Sequence, residues 1–313
     1  MSGIWIVIVS YNGMQWLSEC LESTRPYSVI IVDNNSTDGT QEYIKETHPE
    51  IILLEQKKNL GFGKANNIGI SWALKQGADY VFLLNQDAYL QPITLKRLIR
   101  VHENNPNFGI LSPIHLNGAG TLLDENFSKY YVSYDSNPRF YADYILNNNR
   151  KEIYEVPFIN AAAWLISKQC LETVGGFDPM FYHYGEDENF CQRVHFFNFK
   201  VGVVTDVFFH HDRENRDKMK IKRGSDKYFE NFEKIIKVRY GNINEKIDEK
   251  LKQEIRSKKI EYIKSFIKLN FTEAKYYNKK YLMLLKTSPI LKMSRKFNKE
   301  PGLKYLDIGG KNL

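Results

Sequence analysis

The sequence predicts an α/β fold in which a mostly parallel sheet is flanked by helices. Short apolar runs alternate with segments of helical periodicity, which is the pattern of βαβ units. A cluster of polar, turn-forming residues follows nearly every one of these runs. Because ligands bind at the carboxyl ends of strands in open parallel sheets, the clusters predict a single site along one sheet edge.

The predicted strands justify this fold in chain order, each with its own cluster. The strands and the residues that follow them are 4–9 with Ser10-Tyr11-Asn12-Gly13, 28–32 with the string VDNNSTDGT at 32–40, 51–54 with NLGFGKANNIG at 59–69, 80–84 with Asn85-Gln86-Asp87, and 201–209 with His210-His211. Helical patterns follow the first, third and fourth strands, and polar strings of this kind both stop strands and cap helices. The recurrence of a polar cluster at strand ends weighs more than any single motif.

Two groups of acidic residues are candidates for chemistry. Asp33 ends the second strand, and its carboxylate could accept hydrogen bonds from a pyrimidine base edge or simply cap the next helix. Glu186-Asp187-Glu188 follows the aromatic, glycine-containing segment 177–185. Crowded like charges raise the proton affinity of a carboxylate, which suits a general base. A solvated helix start is the alternative interpretation of this run.

Two glycine motifs that bind nucleotides are absent. Gly61 and Gly63 permit close backbone approach to a ligand, but the GFG spacing is not the dinucleotide fingerprint. A phosphate-binding P-loop is absent too, and residues 9–13 contain no basic phosphate loop of the kind that a sugar-nucleotide-forming nucleotidyltransferase needs.

Six motifs together carry a family resemblance. VSYNG, VDNNSTDGT, NLGFGKANNIG, LLNQDAYL, GGFDPMFYHYGEDENF and the late His210-His211 occur in this order over about two thirds of the chain. The set resembles family-two glycosyltransferases of the GT-A fold, and in particular the rhamnosyltransferase-like bacterial branch that builds cell-surface polysaccharides. Each motif is weak alone, whereas the ordered combination is specific.

The resemblance implies a nucleotide-sugar site and a divalent metal, Mg²⁺ or Mn²⁺. It assigns Asp33 to the nucleotide base, Asp87 to the metal, and His210 to the metal or diphosphate, with His211 as the fallback. Asn85 replaces the first carboxylate of the family's Asp-x-Asp motif and could hold ribose or a metal-bound water. The expected nucleotide-sugar-binding residues are Ser10, Tyr11, Asn12, Asp33, Asn35, Gly61, Asn66 and Asn85.

The resemblance also implies the catalytic and acceptor residues. Asp187 is the expected base, with Glu186 as its acidic neighbour, and a single base with direct displacement implies inversion at the anomeric carbon. Asn160 and Trp164 are expected on the acceptor side. Asn189 stands where the family often has another acidic residue, which predicts altered acceptor contacts.

The charge distribution predicts two regions, a catalytic domain at 1–211 and a basic, mainly helical region at 212–313. The second region holds 28 Lys and Arg against 14 Asp and Glu, a net charge of +14, which leaves −7 for the first. Basic amphipathic helices suit an anionic membrane surface. Packing on the catalytic domain or on a second subunit of a homo-oligomer explains the pattern equally well. No nucleic-acid-binding motif accompanies the charge, so nucleic acid is not an expected partner.

The cysteines and the membrane signals bear on where the protein works. Cys20, Cys170 and Cys191 are widely spaced and predict no disulfide framework, and no signal peptide or bilayer-spanning run is visible. The sequence therefore predicts a cytoplasmic glycosyltransferase at the inner face of a membrane, moving a sugar from a dTDP- or UDP-linked donor to a saccharide or lipid-linked acceptor. The alternative is a non-catalytic scaffold that kept the fold and lost the chemistry.

Overall fold

The computed structural model describes residues 3–213 and 221–308. Its strands are β1 (Ile4–Ser10), β2 (Ser28–Asp33), β3 (Ile52–Glu55), β4 (Tyr80–Asn85), β5 (Ala88–Leu90), β6 (Phe108–Asn117), β7 (Ile153–Glu155), β8 (Ala163–Ser167) and β9 (Lys200–His211). Its helices are α1 (Met14–Ser23), α2 (Thr40–Thr47), α3 (Phe62–Lys75), α4 (Thr94–Asn104), α5 (Pro138–Ile145), α6 (Lys168–Val174), α7 (Glu186–Phe196), α8 (Asp226–Gly241), α9 (Asp248–Ile267) and α10 (Phe271–Asn298). A π-helical turn, Phe127–Tyr131, precedes α5.

The strands form one nine-stranded sheet in the order β3-β2-β1-β4-β8-β6-β9-β5, with β7 paired to β9. The half built from β1, β2, β3 and β4 is parallel, as the sequence predicts. In the other half, β8 runs antiparallel to both β4 and β6, and β5 and β7 run antiparallel to β9. The sheet is therefore mixed. A strand that is buried on both faces has the same apolar sequence pattern whether its neighbour is parallel or antiparallel. The sequence therefore did not reveal the antiparallel strands.

Two hydrophobic cores lie on opposite faces of the sheet. In β1, Val7 contributes to one core and Ile6 and Ile8 to the other, because successive strand side chains point to opposite faces. All three cysteines are free and buried. This doubly covered sheet holds the carboxyl ends of β1, β2 and β4 along one edge, where the polar clusters lie.

Among the described residues after β9, the helices α8, α9 and α10 pack back on the region that contains the sheet. A small third core joins α8, α9 and α10, and buried Asp178 accepts hydrogen bonds from Ser294 and Asn298 of α10. Among the described residues, no helix has both the length and the apolar character needed to cross a bilayer.

Candidate functional site

The loops after β1 and β4 are tied together at the sheet edge. The side chain of Gln86 accepts a hydrogen bond from the Tyr11 amide at 2.9 Å and donates one to the Tyr11 carbonyl at 3.2 Å. A β-carbon on Gly13 would lie 2.1 Å from Gln86 Oε1, so a side chain there would displace Gln86 from its contacts with Tyr11. Gln86 was not singled out from the sequence, although it stands between the two residues that were.

The loops after β1 and β2 meet in the same way. Asn12 Oδ1 accepts a hydrogen bond from the Thr37 amide at 2.8 Å, and Ser10 Oγ donates one to Asp33 at 2.8 Å. The structure thus brings Ser10, Tyr11 and Asn12 next to the cluster of β2, as the shared sheet edge predicts.

Asp33 is fully engaged inside the protein. Its Oδ1 accepts hydrogen bonds from the Ser36 amide and Gln41, and its Oδ2 accepts hydrogen bonds from the hydroxyls of Ser10 and Ser36. The side chain is fully buried. A carboxylate has about four acceptor positions, and these contacts fill them. The geometry therefore leaves no acceptor position for direct contact with a base. It does not show the expected alternative either, because the N-cap residue of α2 is Gly39, without a side-chain cap, so Asp33 shapes the turn rather than capping the helix.

Asn34 joins the second and third loops, whereas its neighbour Asn35 is exposed with a positive φ of 69°. The buried Asn34 accepts a hydrogen bond from the Leu60 amide at 3.2 Å and donates one to the Gly61 carbonyl at 3.4 Å. Only Asn35 was predicted to bind nucleotide. Its exposure leaves its amide available to a ligand, while Asn34 holds the loops.

The loop that contains Gly61 and Gly63 packs closely against other residues of the protein and does not face open space. Gly61 has a φ of +82°, and a β-carbon there would lie 1.9 Å from the carbonyl oxygen of Tyr182. Gly63 lies against Phe177 in the same way, and buried Asn66 donates to the Phe62 carbonyl at 3.0 Å. The glycines are explained by contact with the 177–185 segment, a reason that the sequence did not suggest.

His211, not His210, lies beside the predicted metal residue. His211 Nε2 is 3.6 Å from Asp87 Oδ1 and 3.5 Å from the side-chain amide nitrogen, Nδ2, of Asn85. His210 points to the opposite face of β9, where its Nδ1 lies 3.1 Å from the Gly118 carbonyl oxygen. The structure thus replaces the expected His210 with the fallback His211, because adjacent strand residues face opposite sides.

Three further residues, Asp124, Arg213 and His115, lie on the Nδ1 side of the His211 imidazole. His211 Nδ1 lies 3.8 Å from Asp124 Oδ2, and Asp124 accepts a hydrogen bond from Arg213 Nε at 2.7 Å. His115 stands close by, and burial holds its pKa well below its usual range, so it is neutral. The ligand atoms of His115, Asp124 and His211 all lie within 4.8 Å of one another. At 3.8 Å the Asp124 contact is not a hydrogen bond, and His211 Nδ1 has no hydrogen-bond partner among the described residues, whereas Nε2 lies on the Asp87 side of the imidazole.

The residues on the Asp87 side of the imidazole fit a divalent cation. Two ligands at about 2.1 Å from one octahedral ion lie about 3 Å apart, which a small side-chain movement reaches from the 3.6 Å that separates His211 Nε2 from Asp87 Oδ1. A carboxylate, an imidazole nitrogen and the nearby Asn85 amide form a mixed oxygen and nitrogen donor set that divalent transition metals accept.

The acidic run begins α7 and is electrostatically strained. Glu186 is buried, and burial together with the Asp187 charge raises its pKa to about 7. Burial also raises the pKa of Asp187, and burial and Asp187 raise that of Glu188. Among the described residues, Glu186 Oε2 has no hydrogen-bond partner. Such perturbed carboxyls are typical of acid–base sites.

A cation from the C-terminal region offsets this acidity. The charge of Lys234, on α8, lowers the pKa of all three carboxyls. Packing explains the approach: a β-carbon on Gly185 would lie 3.1 Å from Lys234 Cγ and 2.8 Å from Val238 Cγ2. Sequence reasoning missed Lys234, because nothing local links residue 234 to residue 186.

One short segment, residues 160–162, joins the acidic run to the metal residues. The Ala161 backbone amide is near enough to the Asp187 carboxylate to lower its pKa, and the Ala162 carbonyl accepts a hydrogen bond from the Asn85 backbone amide at 3.0 Å. Tyr131 reinforces the link, since burial and the charges of both Asp187 and Asp124 raise its pKa. The two predicted halves of the site are therefore adjacent.

The two predicted acceptor residues have different environments. Asn160 is partly exposed, and its Oδ1 has no hydrogen-bond partner among the described residues, so it suits a ligand contact. Trp164 is fully buried in β8 and stacks on Phe177 at 6.2 Å between ring centroids. The structure therefore removes Trp164 from the acceptor surface, because β8 lies inside the sheet between β4 and β6.

Asn189 is also structural. It is buried, and its side-chain oxygen accepts a hydrogen bond from Arg193 at 3.2 Å. Arg193 is itself fully buried and donates to the carbonyls of Val174 and Gly176. The altered acceptor contacts expected from Asn189 have no support in this packing.

The chain belongs to the glycosyl transferase family 2, whose model matches residues 5–175. Among curated relatives, it is 24% identical over 199 residues to the low-salt glycan biosynthesis hexosyltransferase Agl10 of Haloferax volcanii, covering 63% of this chain and 63% of that protein. It is 26% identical over 212 residues to the N-acetylglucosaminyl-diphospho-decaprenol L-rhamnosyltransferase of Mycobacterium tuberculosis, covering 60% of this chain and 69% of that protein. The chain thus spans less than two thirds of the length of the first relative and slightly more of the second.

A solved structure shows the same fold. The crystal structure of GalNAc-T7 with UDP, GalNAc and Mn²⁺ matches with a TM-score of 0.53 and 16% identity, covering 74% of this chain and 48% of that one. The predicted α/β architecture, with a large central sheet between helices, is confirmed, and so is the family.

Proposed function

We propose that this protein transfers a sugar from a dTDP- or UDP-linked donor to a hydroxyl of a saccharide or lipid-linked acceptor, with inversion at the anomeric carbon. One observation carries the proposal: residues 160–162 lie beside both halves of the site, since the Ala161 amide influences the Asp187 carboxylate and the Ala162 carbonyl accepts a hydrogen bond from Asn85. Glycosyl transfer needs a base close to the site that binds the diphosphate, and this short segment lies between the two. Membership of glycosyl transferase family 2 supports the same reaction class.

Asp187 acts as the general base in this proposal. Its carboxylate takes the proton of the attacking acceptor hydroxyl while the bond from the anomeric carbon to the diphosphate oxygen breaks. A raised pKa brings a carboxyl closer to working pH, where it is a stronger base, and burial provides that increase for Asp187. Lys234 lowers the pKa of Asp187 and so partly offsets the effect of burial.

Asp87 and His211 hold the divalent cation, with Asn85 next to them. When bound, Mg²⁺ or Mn²⁺ supplies positive charge that neutralises the departing nucleoside diphosphate. Mn²⁺ accompanies UDP in the GalNAc-T7 crystal structure, which supports a metal in this fold. On the protein side, Asp124, paired with Arg213, lies beside the Nδ1 edge of the imidazole, and Nε2 lies toward Asp87.

The donor and acceptor follow from the loops and from the relatives. Tyr11, Asn12 and Asn35 are exposed at the edge where the nucleotide lies, and Asn160 faces the acceptor side. The Mycobacterium relative is named for rhamnosyl transfer to a lipid diphosphate, which supports a lipid-linked acceptor. Such an acceptor places the protein at the inner membrane face, and the net charge of +14 in the basic C-terminal region supports that position.

The decisive experiment compares Asp187→Asn with Glu172→Gln, a control that removes an exposed carboxylate from α6. We expect Asp187→Asn to lose at least ~100-fold in turnover, the usual contribution of a general base, while nucleoside diphosphates still raise its melting temperature. Glu172→Gln should behave as the parent. Parental turnover in Asp187→Asn would show that Asp187 is not the base. A parent that has no turnover and is not stabilised by UDP or dTDP with Mn²⁺ would establish the scaffold instead.

A further inference from the structure

The turn between α9 and α10 presents an unusual cluster of exposed apolar side chains. Phe266, Ile267, Leu269 and Phe271 are 55%, 73%, 72% and 61% exposed. We call these four residues the tip patch. Soluble proteins carry scattered apolar residues on their surface, but four large ones within six positions mark an interaction site.

The tip patch is an ordered structure. The amides of Lys268, Leu269 and Asn270 donate to backbone carbonyls of the last turn of α9, and Asn270 Oδ1 accepts the Glu273 amide at 3.2 Å to cap α10. The rings of Phe266 and Phe271 are in edge contact, with centroids 5.9 Å apart. The turn therefore presents its side chains while the amides of residues 268–270 are paired, which lowers the cost of entry into an apolar medium.

Leu269 at the apex has a positive φ of 57°. Branched side chains rarely adopt this conformation, and asparagine or glycine fits it more easily. Backbone hydrogen bonds of the turn stabilise the conformation, but the Leu269 side chain is 72% exposed and gains little packing inside the chain. An apolar contact outside the chain would bury it.

The charge around the tip patch is positive. Lys259, Lys264, Lys268 and Lys275 are all exposed on the flanking turns, and we call them the tip lysines. The nearby Glu273 is neutralised by a two-pronged contact with Arg223, at 2.7 and 2.8 Å. An apolar apex ringed by lysines matches an anionic bilayer surface, where side chains enter the acyl boundary and lysines meet lipid phosphates.

We propose that the tip patch inserts into an anionic membrane surface and docks the α9–α10 hairpin there. A stripe formed by Ile260, Ile263 and Ile267 extends the apolar contact along α9, since these positions share one helix face and are exposed. The inference rests on the proposed function for its purpose, because a lipid-linked acceptor makes a membrane position useful. Its evidence is independent, being confined to residues outside the catalytic region.

The test uses the full chain in sedimentation with phosphatidylcholine vesicles that contain or lack phosphatidylglycerol. We expect binding only to the anionic vesicles. A variant with serine at all four tip-patch positions should lose at least ~10-fold in partitioning, since each large apolar side chain contributes measurably to insertion. Changing Lys264 and Lys268 to Gln should cost about fivefold per lysine.

Ile93→Ser is the matched control, because Ile93 is 62% exposed but lies at the start of α4, outside the hairpin. It should bind vesicles as the parent does. Equal binding by the parent and the four-serine variant would overturn the proposal, as would an equal loss in Ile93→Ser. So would a lipid-free parent that sediments as an oligomer and becomes monomeric in the four-serine variant, because a second copy would then cover the patch.

Nucleotide binding separates this inference from the proposed function. Stabilisation of the four-serine variant by UDP or dTDP should equal that of the parent. A parent that binds nucleotide but ignores anionic vesicles overturns the membrane inference alone. A parent that binds vesicles without responding to nucleotide supports docking and overturns the proposed transferase.

Discussion

His211 Nε2 lies 3.6 Å from Asp87 Oδ1, and each of these two side chains is only 1% exposed. β5 and β9 produce this pair, since their antiparallel register sets Ala88 opposite His211. Asp124 approaches the other imidazole nitrogen, at 3.8 Å. This histidine therefore lies between two carboxylates, one of them bound to arginine, with Nε2 toward Asp87 and an Nδ1 that has no hydrogen-bond partner among the described residues.

The first prediction compares the two adjacent histidines. In His211→Ala, we expect the Mn²⁺-dependent part of nucleoside diphosphate affinity to fall by at least ~10-fold, since the imidazole is a proposed ligand. His210→Ala should keep that part, because His210 faces Gly118 on the opposite side of β9. Titration of UDP with Mn²⁺ or chelator, followed by melting temperature, measures both. A loss in His210→Ala with none in His211→Ala would reverse the assignment.

The choice between these histidines shows where sequence reasoning stops. Alternation along a strand requires that only one of the pair face the site, and that much was predictable. Which one does so depends on the register of β9 against β6, and that register shifts at two irregularities, between Phe108 and Ile110 and between Pro113 and Ile114. No local pattern encodes such shifts.

Trp164 and Asp33 illustrate the same limit. The order of strands and polar clusters was readable, because apolar periodicity and turn residues are local. The burial of Trp164 follows from the insertion of antiparallel β8 into the sheet centre, and the saturation of Asp33 depends on Gln41, which only the folded chain brings near. Lys234 was missed for a related reason, since it comes from a helix far along the chain.

The second prediction concerns pH and Glu186. Burial raises its pKa from 4.5 to about 7, so the folded state binds this proton more tightly than the unfolded state. Stability from this group is therefore complete below pH 4.5 and is lost as pH rises through 7, by at most about 3 kcal/mol. Glu186→Gln should remove that loss, so its stability relative to the parent should be greater at pH 8 than at pH 5. Urea unfolding of both proteins at the two pH values measures the difference, and a gap that does not change with pH would contradict the prediction.

The third prediction follows the same carboxyl into catalysis. If Glu186 and Asp187 share a proton at neutral pH, turnover should rise as pH increases through about 7 and then level off, because the base must be free. Lys234→Gln removes a charge that lowers both pKa values, so its rise should shift to higher pH. The pH dependence of kcat/KM measures the shift. An unmoved profile would mean that Lys234 does not influence the base.

The fourth prediction tests the contact between Gln86 and Gly13. Gly13→Ala should cost about 1–3 kcal/mol of unfolding free energy, because its β-carbon would lie 2.1 Å from Gln86 Oε1. Gln86→Ala alone loses two hydrogen bonds to Tyr11. In the double variant the clash is gone, so the effects should be non-additive by about 0.5–3 kcal/mol. A double-mutant cycle by denaturant unfolding measures this coupling, and simple additivity would show that the two side chains do not meet.

The last prediction concerns how the basic C-terminal region is attached. The buried carboxylate of Asp178 accepts hydrogen bonds from Ser294 at 2.5 Å and from Asn298 at 2.7 Å, both on α10. Asp178→Ala leaves these donors buried without their acceptor, which costs about 1–3 kcal/mol for each such group. We therefore expect faster hydrogen exchange along α10 in this variant, together with a lower melting temperature.

Asp226→Ala is the control for that experiment, because Asp226 also contacts α10, through Lys279 at 3.1 Å, but is almost fully exposed. An exposed ion pair contributes about 0–1 kcal/mol, so this variant should keep parental exchange in α10. If both variants left α10 equally protected, Asp178 would not anchor the helix, and the apolar contacts among α8, α9 and α10 would suffice to hold it.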